Sequence, residues 1–440
     1  MKTRRDFIKK TTLTGAGVAL AMKASSYNRI IGANDRVSLA FMGLGRRVKA
    51  YYPILGSEYN TQLSYLCDVK KSQIDKVLGQ LKDKIDYTPK SSDDIRKVLE
   101  DKSVDAVYVA APDHWHAPAT IMALDAGKHV YIEKPCAHNP TEAEVMIAKQ
   151  KSTGLQVQMG NQQRSSGHTV EIIKEIHDGA IGTPYSAVAF YCNNRGEVPQ
   201  QVKQAAPSDL NWDLFQGPAP RQDYYHDIWN YNWHWYGWKW GTAETGNNAV
   251  HELDVARWAL KVDYPETVRV FAEKQHFKND GWEMYDAMDA TFGFADGKYI
   301  KWDGSSRNRY HKYGEGRGRG TIIYGTEGSV YVDRGEYQLF DRDGKLTKNS
   351  AKTNEDGTAL GGGGETSTKH SVNFLEAIRG KEKLTAPIHD GAISNHMALL
   401  ANIAYLTKSA FDVDSDSGKP YDKEAMQLWS REYEPGWELK

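Results

Sequence analysis

Cysteine is nearly missing. Only Cys67, Cys136 and Cys192 occur in 440 residues. None are spaced as a CxxC pair, and three thiols cannot all pair internally, which argues against a disulfide framework and a thiolate zinc site. They read as small buried residues. An excess of charge is also missing: 56 basic residues meet 57 acidic ones, for a net charge of -1. No broad basic field is available to hold nucleic acid or an anionic membrane. After residue 22 no apolar run is long enough to span a bilayer, so the mature chain is expected to have no membrane span. No internal repeat is visible. What remains is a globular composition, 40% hydrophobic and 26% charged, long enough for two domains.

The N-terminus carries "TRRDFIKK" followed by the apolar run Leu13 to Met22. Paired arginines at Arg4 and Arg5, then Phe7, then a short apolar stretch, read as a twin-arginine export signal. The alternative is a basic start to a cytosolic helix. Export would place the protein in the periplasm or otherwise outside the cytosol. No cysteine near the run suggests a lipid anchor.

Val37 to Met42 is an apolar run expected to form a buried strand. Gly43-Leu44-Gly45 follows at once, and "RVKAYYPIL" then reads as a helix interrupted by Pro53. Strand, Gly-x-Gly and helix is the context of a phosphate-cradling turn, in which glycines admit the pyrophosphate and a helix N-terminus faces it. Val48 occupies the third glycine position. Asp68, at the end of "QLSYLCDVK", falls where an acid would bind the ribose hydroxyls and favour NAD over NADP. Lys70 and Lys71 could soften that preference, so NADP stays open. Further alternation predicts a helix capped at Ser92 or Asp93, strand Ala106 to Ala110, a helix from "HAPATIMALDAG", and strand Val130 to Ile132. This implies a doubly wound parallel sheet with helices on both faces. Gly43, Gly45, Arg46, Asp68, Pro112, His116, Glu133 and Lys134 fall at or just beyond the carboxyl ends of these strands, where such sheets bind ligands.

The segment "AAPDHWHAPATIMALDAGKHVYIEKP" resembles the diagnostic stretch of the Gfo/Idh/MocA oxidoreductases, from about residue 35 onward. That resemblance implies an α/β N-terminal Rossmann domain (doubly wound parallel sheet) plus an α+β C-terminal domain with a large open antiparallel sheet. The corresponding division is a signal and linker at 1–33, a Rossmann domain at 34–160 and a substrate domain at 161–440. The resemblance also implies hydride transfer at a carbinol carbon, commonly of a sugar or cyclitol, and pairing of the open sheets into a homo-oligomer.

By the same resemblance, Lys134 reaches both the nicotinamide ribose and the reacting hydroxyl, where a cation stabilises a developing alkoxide. "GNNAVHELDVARW" then aligns with the catalytic helix of the second domain. His251 takes the general-base position and Asp254 a further acid position. Asn247 stands where the family has an Asp, so a relay through that carboxylate is in doubt. Asp254 could instead pair with Arg257 along the helix. A metal at His251, with Glu252 or Asp254, would need more ligands at helical spacing than the stretch supplies, so no metal is expected. Arg164 in "GNQQRSS" resembles a cleft position in relatives; a surface arginine is the alternative. Tyr191, Asn193 and Arg195 come from the next strand end. "YYHDIWNYNWHWYGWKW", Tyr224 to Trp240, reads as a carbohydrate platform, with Trp235 as its representative, or as an oligomer interface. "DAMDATFGFADGKYIKWDGSS" and "TIIYGTEGSVYVDRGEYQLFD" predict antiparallel strands with Asp-Gly and Glu-Gly turns. "GEGRGRG" and "GTALGGGGET" are loops and lid candidates, the second more simply a surface loop.

These features point to an exported NAD(P)-dependent oxidoreductase acting on a sugar or glycoside, with a tightly retained cofactor because free nicotinamide is scarce outside the cytosol. Oxidation of a glycoside at C3 is one form. The alternatives are a redox-neutral, NAD-dependent glycosidase and a non-catalytic sugar-binding protein on the same scaffold.

Overall fold

The structure, a computed structural model, describes residues 35–439 except 227, 229–230, 311–312, 314–317 and 352–363. The twin-arginine stretch, the apolar run Leu13 to Met22 and most of both lid candidates lie outside the described residues.

The first sheet is built from β1 (Val37–Met42), β2 (Thr61–Cys67), β3 (Lys90–Ser92), β4 (Ala106–Val109), β5 (His129–Ile132) and β6 (Val157–Met159). The order is β3-β2-β1-β4-β5-β6 and every pair is parallel. β4 is buried along its whole length. Helices on both faces leave no solvated side, so these strands read as apolar runs rather than alternations. The connecting helices are α1 (Lys71–Leu81), α2 (Ile95–Leu99), α3 (Asp113–Asp125) and α4 (Pro140–Thr153). α4 shows the local logic. The Asn139 side chain accepts from the Glu142 N–H at 3.1 Å, Pro140 opens the first turn, and Gly154 closes the helix at φ +68°. The cap of α2 is Asp94, which accepts from the Arg96 N–H, rather than Ser92 or Asp93. The residues after Gly45 form a 3₁₀ run, Arg47–Leu55, with Pro53 inside, instead of an α-helix. Pro53 lacks the N–H that a continuing α-helix would use.

The second sheet has nine strands: β7 (Pro184–Cys192), β8 (Thr267–Glu273), β9 (Ala287–Gly293), β10 (Tyr299–Ser305), β11 (Arg319–Gly325), β12 (Gly328–Val332), β13 (Tyr337–Asp341), β14 (Leu346–Asn349) and β15 (Phe411–Asp412). Their order is β14-β13-β12-β11-β7-β10-β9-β8-β15. All neighbours are antiparallel except β7 and β10, which run parallel. The predicted Asp-Gly turn joins β9 to β10, with Asp296 and Gly297 both at positive φ, the backbone that a tight hairpin requires. α5 (Gly167–His177) precedes this sheet. α6 (Val250–Leu260) and α8 (Ile388–Thr407) pack on one face of it. The other face is solvated, and β8 alternates accordingly, with Phe271 81% exposed.

α7 (Glu365–Ile378) comes from the far end of the chain yet packs on the first sheet. Its Phe374 completes an aromatic cluster with Tyr51, Tyr108 and Tyr131, in which Tyr108 stacks on Tyr131 at 4.8 Å. The three cysteines are buried and unpaired. Among the described residues no helix is long and apolar enough to cross a membrane.

Candidate active site

A cavity of about 760 Å³ opens at the carboxyl ends of the first sheet. Strand order reverses between β1 and β4, and the loops diverging there leave a crevice. Gly43 sits at φ +84°, and a Cβ there would stand 2.5 Å from the Ala110 backbone, so only glycine lets the two strand ends meet. Gly45 has open space before it. Gly43, Gly45, Arg46, Asp68, Pro112, His116, Glu133 and Lys134 all line the cavity.

The Asp68 carboxylate accepts from the Leu44 N–H at 2.7 Å and the Lys70 N–H at 2.8 Å, bracing the glycine turn. Burial raises its pKa to about 6 against those bonds. Its oxygens retain lone pairs for ribose hydroxyls. Lys70 is held by Asp209 at 2.9 Å, which weakens its claim on a nucleotide phosphate. Glu133 is buried, yet the Arg47 guanidinium at 2.7 Å and the Tyr51 hydroxyl at 2.9 Å hold its carboxyl below the ordinary range. His116 donates from Nδ1 to the Pro135 carbonyl at 2.5 Å, while its buried Nε2 has no hydrogen-bond partner among the described residues. A glycine turn, a strand-end acid and an unpartnered imidazole nitrogen on one wall fit a dinucleotide.

The opposite wall comes from the second domain. α6 is preceded by a π-helical turn, Thr245–Ala249, a widened geometry frequent at functional sites. Asn247, Asn248 and His251 line the cavity from this turn and the first turn of α6. Lys134 Nζ donates to the Asn247 carbonyl at 2.5 Å and to its Oδ1 at 3.3 Å. Burial lowers the Lys134 pKa to about 8, with Arg334 and Arg319 adding to the effect. His251 is 6% exposed and has no hydrogen-bond partner among the described residues. Burial first, then the charges of Arg334, Lys134 and Arg319, push its pKa well below the usual histidine value. It is therefore neutral at pH 7.

Tyr191 and Asn193 reach the cavity as expected, and the Tyr191 hydroxyl accepts from Asn193 at 2.6 Å and Arg195 at 3.1 Å. Three expected residues do not reach it. Arg164 and Asp254 pair with each other in a two-pronged bridge of 2.7 and 2.9 Å, and Ser394 donates to Asp254 at 2.6 Å. This bridge ties the loop after β6 to α6. Arg257 turns to Ser394 and Asp263 instead of Asp254. Trp235 lies behind the wall, stacked on Trp282 at 4.0 Å with Arg195 over its ring. Much of the aromatic stretch is core: Trp240 and Tyr236 are buried. Among the described residues of the stretch, Tyr231, Trp233 and His234 are on the wall. Tyr231 has φ +58°, a strained backbone for a bulky residue, and carries Arg46 over its ring at 4.6 Å.

Sequence reasoning passed over Arg47, Asn248, Arg309, Arg319 and Arg334. Arg319 is the second arginine of "GEGRGRG", and that stretch was the available signal. Thr366 and Ser367, after the glycine run, also line the cavity, so that end of the second loop is more than plain surface. His370 is buried against the Met159 carbonyl and Ser165, and His389 is exposed. No cluster of three or more His, Cys, Asp or Glu side chains suited to a metal occurs among the described residues.

A reversing parallel sheet with a glycine turn, joined to a second sheet that brings a lysine and a histidine to the same cavity, defines a two-domain nucleotide-dependent oxidoreductase scaffold. Residues 37–161 match "Oxidoreductase family, NAD-binding Rossmann fold" and residues 170–331 match "GFO/IDH/MocA C-terminal domain". The chain belongs to the Gfo/Idh/MocA family. It is 24% identical over 305 residues to scyllo-inositol 2-dehydrogenase (NAD(+)) of Bacillus subtilis, covering 68% of this chain and 74% of that one. It is 23% identical over 240 residues to a glycosyl hydrolase family 109 protein of Saccharopolyspora erythraea, covering 48% and 52%. The matched region thus spans about half the length of several curated relatives. The fold is similar to aldose-aldose oxidoreductase from Caulobacter crescentus, with a TM-score of 0.64 at 19% identity over 86% of this chain and 100% of that one.

Proposed function

We propose that the protein is an NAD-dependent dehydrogenase of a sugar or glycoside hydroxyl. The observation that carries this is the convergence on one cavity of a buried Lys134 ammonium, a neutral His251 with no hydrogen-bond partner among the described residues, the Gly43–Gly45 turn and Asp68. NAD supplies a hydride acceptor when bound. Lys134, held by Asn247, lowers the charge cost at the reacting oxygen as its proton leaves. His251 takes that proton, because burial, and then the cations around it, keep the imidazole unprotonated until that point. Tyr231, Trp233 and His234 offer ring faces to a pyranose.

The N-terminal twin-arginine pattern supports export with cofactor already bound and retained. The solvated sheet face with Phe271 supports pairing of two copies. Similarity to family 109 relatives favours one second reading, redox-neutral cleavage of a glycoside through transient oxidation. A purely sugar-binding role would need neither Lys134 nor His251. A panel of glycosides, free sugars and cyclitols, incubated with NAD or NADP and followed by reduced-nicotinamide absorbance, separates these. Net reduction supports the dehydrogenase. Sugar release without net reduction supports the glycosidase. Binding with neither outcome leaves only the scaffold role.

A further inference from the structure

A second neutral imidazole lines the cavity. His234 enters it from the 3₁₀ turn Asn232–His234 in the aromatic stretch. Its Nδ1 lies 2.6 Å from the Tyr231 carbonyl oxygen. A carbonyl can only accept, so Nδ1 carries the ring proton and Nε2 keeps a lone pair. Burial pushes the His234 pKa well below the usual histidine value, against the pull of the Tyr231 bond, and the charges of Lys134 and Arg195 act in the same direction as burial. The ring is therefore neutral at pH 7. Its Nε2 has no hydrogen-bond partner among the described residues.

The turn holds that ring in one place. The Tyr231 carbonyl accepts from the His234 N–H at 3.2 Å as well as from Nδ1, and the Asn232 carbonyl accepts from the Trp235 N–H at 2.8 Å. The Trp233 ring lies against the imidazole, with centroids 3.5 Å apart and planes 21° from parallel, which fixes the imidazole plane. The chain passes close behind the turn: a Cβ on Gly241 would stand 2.9 Å from the His234 Cα. Next to it, the Trp240 carbonyl accepts from the His114 N–H at 3.1 Å and so fastens this stretch to the first turn of α3. His234 is 6% exposed, and a buried acceptor costs free energy while it lacks a donor. In a cavity-lining ring with Nδ1 already spent on the backbone, that donor comes from a ligand. The Lys134 charge bears on both His234 and His251, so the two imidazoles serve one reacting centre.

We propose that His234 is a specificity-determining residue, whose Nε2 accepts a hydrogen bond from a second sugar hydroxyl, one that is not oxidised, while Lys134 and His251 act on the reacting hydroxyl. A nitrogen that can only accept selects a free hydroxyl over a deoxygenated or alkylated position, because the analogue leaves the buried lone pair without a donor. The substrate class is then a polyol with a free hydroxyl at one fixed position besides the oxidised carbon. No bond to carbon is made or broken at His234, so its effect falls chiefly on KM. This contact rests on the dehydrogenase reading, since it belongs to the same site; it can be tested apart from turnover.

The test compares methyl β-glucoside with its 2-, 3-, 4- and 6-deoxy analogues, using NAD-loaded wild type, His234→Phe and His234→Leu. The analogue that lacks the oxidised hydroxyl is not turned over and drops out. Of the rest, one is expected to lose about tenfold in kcat/KM in wild type, chiefly through KM, as an unfilled buried acceptor implies. In either variant the parent sugar should fall to the level of that analogue, so this one penalty closes to within about twofold while the others persist. A general loss of folding or activity leaves the ratios where they were, and either variant suffices if the other does not fold. Penalties that are the same in wild type and variant overturn the proposal, as does a variant that weakens NAD in a fluorescence titration without closing a penalty, which would give Nε2 to the cofactor. Should none of these sugars be oxidised, that failure belongs to the dehydrogenase reading. Calorimetric titration of the same five sugars into the NAD-loaded proteins then decides the contact. An affinity penalty for one analogue that closes in the variant supports it; unchanged penalties, or absent binding, overturn it.

Discussion

Lys134 donates to Asn247 twice, to its carbonyl oxygen at 2.5 Å and to its side-chain Oδ1 at 3.3 Å. The bond joins the end of β5 to the π turn before α6, and so ties the two walls of the cavity together. Both acceptors are neutral. Burial lowers the Lys134 pKa to about 8, against the opposing pull of the Asp113 and Glu133 carboxylates.

The pH dependence of oxidation follows. Lys134 must be charged to stabilise the alkoxide, so kcat/KM should fall as pH rises above about 8. His251, held far below the usual histidine range, should give no acid limb near its ordinary value of about 6.5. A steady-state pH profile checks both points. A rate that climbs through pH 8 would instead make Lys134 the base.

Asn247→Asp places a carboxylate against Lys134. An opposite charge at this range raises a lysine pKa by roughly 1 to 3 units, so the alkaline limb should move upward by a comparable amount. The same profile, repeated on the variant, reads the shift. An unmoved limb would mean that Lys134 does not set it.

Asp68→Asn keeps a carbonyl for the Leu44 N–H but removes the charge. Loss of a charged bond to the ribose should weaken NAD by roughly tenfold, and NADP should gain relative to NAD. Fluorescence titration of both nucleotides measures this. An unchanged NAD-to-NADP ratio would take Asp68 out of cofactor selection.

Asp254→Asn tests the bridge to Arg164. Removing one member of a buried pair costs about 3 to 5 kcal/mol of stability. Burial opposes ionisation of Asp254, but Arg164 holds its carboxyl below the ordinary range. The native carboxylate therefore stabilises the fold above the unfolded pKa of about 3.9, and that contribution fades as pH drops through the lower folded value. Urea unfolding should show a large deficit in the variant at pH 7 that narrows in acid. The KM for sugar should change little, since neither residue lines the cavity.

The first domain was legible because its signals are local. A buried apolar run stops at Gly43, and an acid stands at the next strand end. The Lys134 and His251 stretches were recognisable for the same reason, each carrying its pattern within a few residues. The second-domain wall was not. Arg319 and Arg334 reach the cavity from a strand start and a hairpin tip, and nothing near them in the sequence says which way they face. Arg164 and Asp254 pair with each other behind the cavity, because two opposite charges on separate elements can satisfy each other, and only packing reveals it. Trp235 lost its place to Trp233 and His234 through the local path of the backbone near Tyr231, whose positive φ no residue preference foretells.

The most direct measurement is the reduced-nicotinamide absorbance of NAD-loaded protein on addition of a sugar substrate, recorded in wild type, Lys134→Ala and His251→Ala. Hydride transfer in this cavity predicts a band that rises with the sugar, falls with the matching keto-sugar, and forms at least about a hundredfold more slowly in either variant, as loss of a charged stabiliser or a general base implies. A sugar that binds the wild type yet leaves the absorbance unchanged, with NAD and with NADP, would contradict it.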